Sequence, residues 1–183
     1  MNTPILETHH TTIKLMDENH VSLLCDYYTK NKSHLKSWEP IRDKIFYTEK
    51  HWQIQASDSL TLFLNKQAIK FVALNKSETQ IIATCNFSNI VFGCFDACHL
   101  GYSIDKDFEG KGIMYEVIMI AISYIKDEFK LHRIMANHIP NNTRSEKLLT
   151  KLGFEKEGLA KSYLKINGQW QDHILNSLIL PTE

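Results

Sequence analysis

Tyr102-Ser-Ile-Asp-Lys-Asp-Phe-Glu-Gly-Lys-Gly-Ile-Met114 joins an apolar segment at 95–104 to a second one at 113–129 through a polar loop with two glycines. The first segment reads as a strand. The second puts Ile113, Val117, Ile120 and Tyr124 at three- and four-residue steps, the spacing of an apolar helical stripe. Gly110 and Gly112 allow a backbone to approach a ligand closely, and the first turn of a helix carries N–H groups without partners inside the helix. Together with the helix dipole these features suit a pyrophosphate, and Lys111 adds a positive charge. An isolated Gly-x-Gly is also an ordinary tight strand-to-helix turn that binds nothing. The dinucleotide fingerprint and the P-loop are both absent, since no third glycine stands at the required spacing and no Gly-Lys-Ser/Thr occurs.

Working outward, residues 12–16 alternate as a short strand, and Asp17 or Asn19 caps a helix over 20–29 with Val21, Leu24, Cys25 and Tyr28 on one stripe. Residues 33–42 form a helical turn and then a loop, because Pro40 interrupts them. Thr48 is the N-cap of a longer helix reaching about Asn65. Strands at 69–74 and 80–87 flank a polar turn at 75–79. Beyond the glycine loop come a strand at 133–139 and a helix at 142–152 closed by Gly153. Asn167-Gly168, two residues tolerant of positive φ, signals a type I′ hairpin within 162–175. This order predicts a single domain over 1–183 of α/β class in the mixed α+β sense: a mixed sheet with helices on its faces and no regular βαβ repeat.

The 21 lysines and arginines balance the 21 aspartates and glutamates, which argues against a general nucleic-acid binder. Trp38, Trp52 and Trp170 lie in no basic cluster that would stack bases, and Trp38 reads as core packing. Cys94 and Cys98 with His99 are metal-capable in type. A strand would turn His99 away from the two cysteines, and no second Cys/His pair follows, so no metal is expected. No apolar run in 1–15 suits a signal sequence and no stretch approaches membrane-spanning length, so a cytoplasmic chain with free thiols and no membrane contact is expected.

Glu109-Gly-Lys-Gly-Ile-Met114 resembles the acetyl-CoA signature of the GNAT acetyltransferases, Gln/Arg-x-x-Gly-x-Gly/Ala, and Asn142-Thr-Arg-Ser145 with Leu152-Gly-Phe-Glu-Lys-Glu-Gly158 resembles that family's next block. The likeness runs from about Thr11 to the C-terminus. Leu35-Lys-Ser-Trp-Glu-Pro40, Asn86-Phe-Ser-Asn89, His132-Arg-Ile-Met-Ala-Asn137 and Gly168-Gln-Trp-Gln-Asp-His173 are similar to members that acetylate the N-terminal alanine of a small-subunit ribosomal protein. The resemblance implies the GNAT fold, with a mostly antiparallel sheet, and acetyl-CoA as acetyl donor. It assigns Tyr102, Ser103 and Ile104 to pantetheine pairing, and Glu109, Gly110, Lys111, Gly112, Ile113 and Met114 to the pyrophosphate. It puts Asn142 and Ser145 on the far side of the cofactor, Asn142 being equally suited to cap its helix, counts Asn137 among the cofactor-binding residues, and gives Trp38 the border of the peptide entrance as an alternative to core packing. Glu109 and Met114 depart from the residues the family prefers, which points to contact through backbone N–H groups.

The implied reaction is attack of a free amine on the thioester. An α-amino group, with a pKa of about 7.7–8.0, needs less help to lose its proton than a lysine at about 10.4. The family's usual glutamate is replaced by Asn137 and its usual tyrosine acid by Leu149, so Ser145 is the candidate to protonate the leaving sulfur, its alternative being a solvated helix serine. Glu39, His99 and Glu157 are candidate bases; each has a plain structural alternative as a solvated carboxylate, a core histidine and a surface ion pair. The expected partner is a ribosomal-protein N-terminus, with no direct nucleic-acid contact, and a monomer and a homodimer are both compatible. A small amine such as a polyamine or drug, or acetyl-CoA binding without turnover, are the other readings.

Overall fold

The computed structural model describes residues 3–181. Strands β1 (Ile5–Glu7), β2 (Thr11–Leu15), β3 (Ile69–Asn75), β4 (Ile81–Val91), β5 (Ala97–Ile104), β6 (Arg133–Met135), β7 (Glu155–Ile166) and β8 (Gln169–Ile179) form one sheet in the order β1-β2-β3-β4-β5-β6-β8-β7. Every neighbouring pair is antiparallel except β5 and β6. Helices α1 (Val21–Lys30), the short α2 (Lys32–Leu35) and α3 (Glu49–Leu64) cover one face. Helix α4 (Ile113–Tyr124), continued by a π-type turn over Ile125–Phe129, packs on the other with α5 (Thr143–Lys151).

Alternation along the strands sorts residues between these faces. Phe71, Cys85, Phe87, Cys98 and Leu100 point toward α4 and join its core with Ile118 and Ile134. Phe71, Phe87, Ile118 and Ile134 are at most 1% exposed, and burying each such side chain contributes about 1.5–3 kcal/mol. The opposite face carries Lys70, Val72, Thr84, Asn86, His99, Gly101 and Ser103 toward α1 and α3.

Local signals behave as their chemistry requires. Asp17 caps a short 3₁₀ turn that leads into α1, Thr48 accepts from the His51 amide at α3, and Asn142 Oδ1 accepts from the Ser145 amide (3.1 Å) at α5. Asn167 (φ 45°) and Gly168 (φ 80°) make the hairpin turn between β7 and β8. Three segments differ from the sequence expectation. β1 was not anticipated, being only three residues long. β7 starts at Glu155, well before 162, because this edge strand is exposed over most of its length and carries no core alternation to read. The strand expected over 133–139 stops pairing with β5 after Met135, and the reason is the site.

Candidate active site

β5 and β6 pair only at Ala97–Arg133, Cys98–Ile134 and His99–Met135. Beyond that point β5 stays on β4 as far as Ile104, while the chain after β6 stays on β8. The Ala136 amide donates to Asn176 O (2.9 Å) and His138 exchanges backbone bonds with Ile174. The sheet therefore splits into a V, and Leu100–Ile104 presents an unpaired backbone edge inside it. An extended ligand can complete such an edge as an added strand.

The glycine loop lies where β5 ends. Asp105, fully buried, accepts from Lys30 Nζ (2.7 Å) and the Asp107 amide (2.9 Å), while Asn31 Oδ1 accepts from the Lys106 amide (3.1 Å). Burial alone would raise the Asp105 carboxyl, but the hydrogen bonds from Lys30, Asp107 and Asn31 outweigh it and hold it below its ordinary value. Thus α1 fixes the root of the loop. Gly110 (φ 72°) and Gly112 (φ 78°) adopt left-handed conformations, and a Cβ on either would meet nothing within 4 Å. The first helical bond of α4 runs from the Glu116 amide to Gly112 O, so the amides of Ile113, Met114 and Tyr115 precede the ladder at a helix N-terminus. The side chains of Ile113 and Met114 are buried in the α4 core, which leaves their amides as their only means of contact. Lys111 Nζ donates to Asp107 O (2.7 Å). The Glu109 carboxylate is held by Arg144 and lies 3.4 Å from His34 Nε2. This open, amide-rich cradle fits a pyrophosphate, and the unpaired edge fits a pantetheine arm.

Across the V, Tyr102 on β5 meets Ser145 in the first turn of α5, with their hydroxyl oxygens 2.6 Å apart. Burial pushes the Tyr102 phenol up to about 12 despite the Ser145 bond, so it stays protonated. Spacing gave no sign of this partnership, because 43 residues separate the two. Asn137 Oδ1 accepts from the Asn176 amide (3.3 Å), and Asn142 is committed to its cap.

On the opposite face, Ser103 Oγ lies 2.8 Å from Tyr27 Oη and 2.9 Å from Thr84 Oγ1. His99 stands at the apex of the V; its Nδ1 is buried without a partner, and burial lowers its pKa. Gly101 follows on the same face, and a Cβ there would meet nothing within 4 Å. Glu39 sits farther out, where its carbonyl accepts from the Asn167 amide (2.9 Å) and joins the loop after α2 to the hairpin. Burial raises the Glu39 carboxyl, opposed by Arg42. Glu157 is ion-paired with Arg133 (2.6 Å) and bonded by Ser177 (2.7 Å), which hold it low and make it a poor base. Trp38 and Trp170 are exposed, whereas Trp52 stacks on Tyr28. All four cysteines are free, and no metal-holding group of His, Cys, Asp or Glu occurs among the described residues. No helix among them is long and apolar enough to cross a membrane.

A sheet split beside an amide-lined glycine turn defines an acyl-CoA N-acyltransferase architecture. The family model described as the acetyltransferase (GNAT) domain matches residues 12–155, and the chain belongs to that family, whose acetyl donor is acetyl-CoA. Within it the chain is similar to the [ribosomal protein uS5]-alanine N-acetyltransferase of Escherichia coli, 43% identical over 96% of this chain and 91% of the relative. The ribosomal-protein-S5-alanine acetyltransferase of Vibrio fischeri superposes with a TM-score of 0.93, at 40% identity and 96% coverage of both chains. RimJ of Mycobacterium smegmatis, solved with CoA-disulfide, shares the fold at a TM-score of 0.87, covering 97% of this chain and 86% of its own, at 23% identity.

Proposed function

We propose that this chain, acting in the cytoplasm, transfers the acetyl group of acetyl-CoA to the N-terminal alanine of a ribosomal protein of the uS5 type. The observation that carries the reading is the split between β5 and β6, which opens to different chemistry on the two faces of the sheet. Its similarity to uS5-alanine acetyltransferases over 96% of the chain supports the choice of acceptor.

Bound acetyl-CoA supplies the acetyl thioester, whose carbonyl carbon gains a bond to nitrogen as its bond to sulfur breaks. The Leu100–Ile104 edge, with Tyr102, Ser103 and Ile104, would hold the pantetheine, and the amides from Gly110 to Met114 would hold the pyrophosphate, with Glu109 and Lys111 contributing backbone only. Asn137 and Asn142 act on the far wall by fixing backbone: one ties the chain after β6 to β8, and the other sets the first turn of α5. The acceptor amine enters from the α1/α3 face. Glu39 at its mouth attracts the α-ammonium. His99, neutral at pH 7 because burial lowers its pKa, takes the amine proton as the C–N bond forms. Ser145 donates its proton to the departing sulfur. Tyr102, kept neutral by burial, lies 2.6 Å from Ser145 Oγ, and with its hydrogen turned to that oxygen it leaves the serine proton free for that task.

Thiol release is followed with acetyl-CoA and an Ala-starting peptide, the same peptide acetyl-blocked, or spermine. Turnover on the unblocked peptide alone is expected. Cofactor binding with no thiol released on any amine would sink the reading, and turnover on spermine alone would favour a small-amine enzyme.

A further inference from the structure

A second cleft, of about 230 Å³, opens on the acceptor face between α1, α3 and the sheet, lined by Tyr28, Arg42, Trp52, Gln55, Lys70 and Asn86 among others. Its polar lining is rich in donors. Arg42, His51 and Lys70 border it, and no carboxylate does. Lys70 Nζ donates to Gln55 Oε1 (2.9 Å), a neutral partner. Burial holds Lys70 below the ordinary lysine value, with Asp58 in α3 opposing. Trp52 is 6% exposed, and its indole N–H is buried with no acceptor among the described residues. A buried donor left unpaired costs about 1–3 kcal/mol, so this wall is incomplete by itself.

Register ties the cleft to the reaction. Lys70 pairs with Asn86, and Asn86 pairs with Gly101 on the open edge of β5. Neighbouring strands lie about 4.8 Å apart, so Lys70 stands roughly 10 Å across the sheet from that edge. An extended chain advances about 3.3–3.6 Å per residue, so roughly three steps separate an amine at the edge from Lys70, which brings the side chain of the third or fourth residue over it.

We propose that this cleft is a carboxylate subsite, which takes an acidic side chain at the third or fourth residue of the acceptor polypeptide through Lys70 and Trp52. The proposal rests on the reading of the chain as a protein N-terminal acetyltransferase. It gives the acceptor face two poles, with Glu39 for the α-ammonium and Lys70 for the following carboxylate. The same cations repel a polyamine.

The test compares kcat/KM for Ala-starting peptides that differ only in Glu or Gln at position three or four, at low ionic strength. The wild-type enzyme is expected to prefer Glu by about tenfold at one of these positions, as a charge-assisted hydrogen bond would give. The ratio should fall toward one in Lys70→Met, persist in Lys70→Arg, and drop about threefold in Trp52→Phe, which keeps the ring but loses the donor. Acetyl-CoA affinity and melting temperature verify that each variant is folded; if Lys70→Met does not fold, Trp52→Phe carries the test. Turnover on both peptides with a ratio near one in wild type, or an undiminished Glu preference in Lys70→Met or Trp52→Phe, overturns the subsite and leaves the parent reading standing. No turnover on any peptide overturns both.

Discussion

The two faces of this sheet differ in what they leave unsatisfied. Toward α4, Phe71, Cys85, Phe87, Cys98 and Leu100 close a dry core, and the polar contact that reaches the V from that side is the Tyr102–Ser145 pair. Toward α1 and α3 lies a polar floor of Lys70, Thr84, Asn86, His99 and Ser103, with the His99 and Trp52 nitrogens buried and unpaired. Acyl transfer has the same asymmetry. Its leaving group needs one placed proton and no water, whereas its acceptor must enter, shed a proton and be recognised. The split in the sheet lets one ligand-filled gap meet both conditions at once.

The largest test of the dry side removes its proton. Ser145→Ala should lower kcat by about 100-fold, the lower range for general acid catalysis, with little change in the KM for acetyl-CoA. Tyr102→Phe should cost about tenfold, and the double variant no more than Ser145→Ala alone, because two members of one chain are not additive. Additive losses would separate the two hydroxyls. A wild-type rate in Ser145→Ala would return that serine to a solvated helix position.

Next comes the cradle that both faces share. Gly112→Val places a β-branched residue at φ 78°, which costs about 1–2 kcal/mol of backbone strain. Relief of that strain turns amides away from the pyrophosphate. The acetyl-CoA dissociation constant, measured by calorimetry, should rise at least about tenfold. An unchanged constant would mean the loop is not the cofactor site.

The wet side is read by pH. His99 is held below 6.5, so it loses its proton as pH rises through a value under 6.5 and is a competent base at pH 7. The Glu39 carboxyl is held above 4.5 and becomes charged in the acid range too. The kcat/KM profile should therefore show an acid limb below 6.5 and a second rise near pH 8, where an α-amine deprotonates at about 7.7–8.0. His99→Gln should abolish the acid limb at much reduced rate, whereas Glu39→Gln should keep it and raise the peptide KM. If only Glu39→Gln removes the limb, the base is Glu39.

These assignments were unequally legible. The glycine turn, the Thr48 and Asn142 caps and the Asn167-Gly168 hairpin are local chemistry, and each stands where its residues put it. The resemblance supplied the family, and with it the cofactor. The split was invisible, because residues 133–139 read as one continuous strand and only tertiary pairing shows where β5 leaves it. Tyr102–Ser145 and the row from Lys70 through Asn86 to Gly101 join residues far apart in sequence, a relation that periodicity does not encode.

The smallest effect is expected at the cradle's rim, where the sequence departs from its family. Glu109 brings a carboxylate to a phosphate-binding loop, yet Arg144 clasps it, so its charge is partly cancelled. Arg144 is exposed, and an exposed ion pair contributes about 0.2–1 kcal/mol. Glu109→Gln should therefore change the acetyl-CoA dissociation constant by no more than about threefold, toward tighter binding, since it removes a negative charge and releases Arg144 toward the phosphates. The gain should shrink as salt is added, because exposed charges are screened over about 8–10 Å at ordinary ionic strength. Weakening by tenfold or more would give the carboxylate a different role: a strut that holds α5, and with it Ser145, against the dry side of the V.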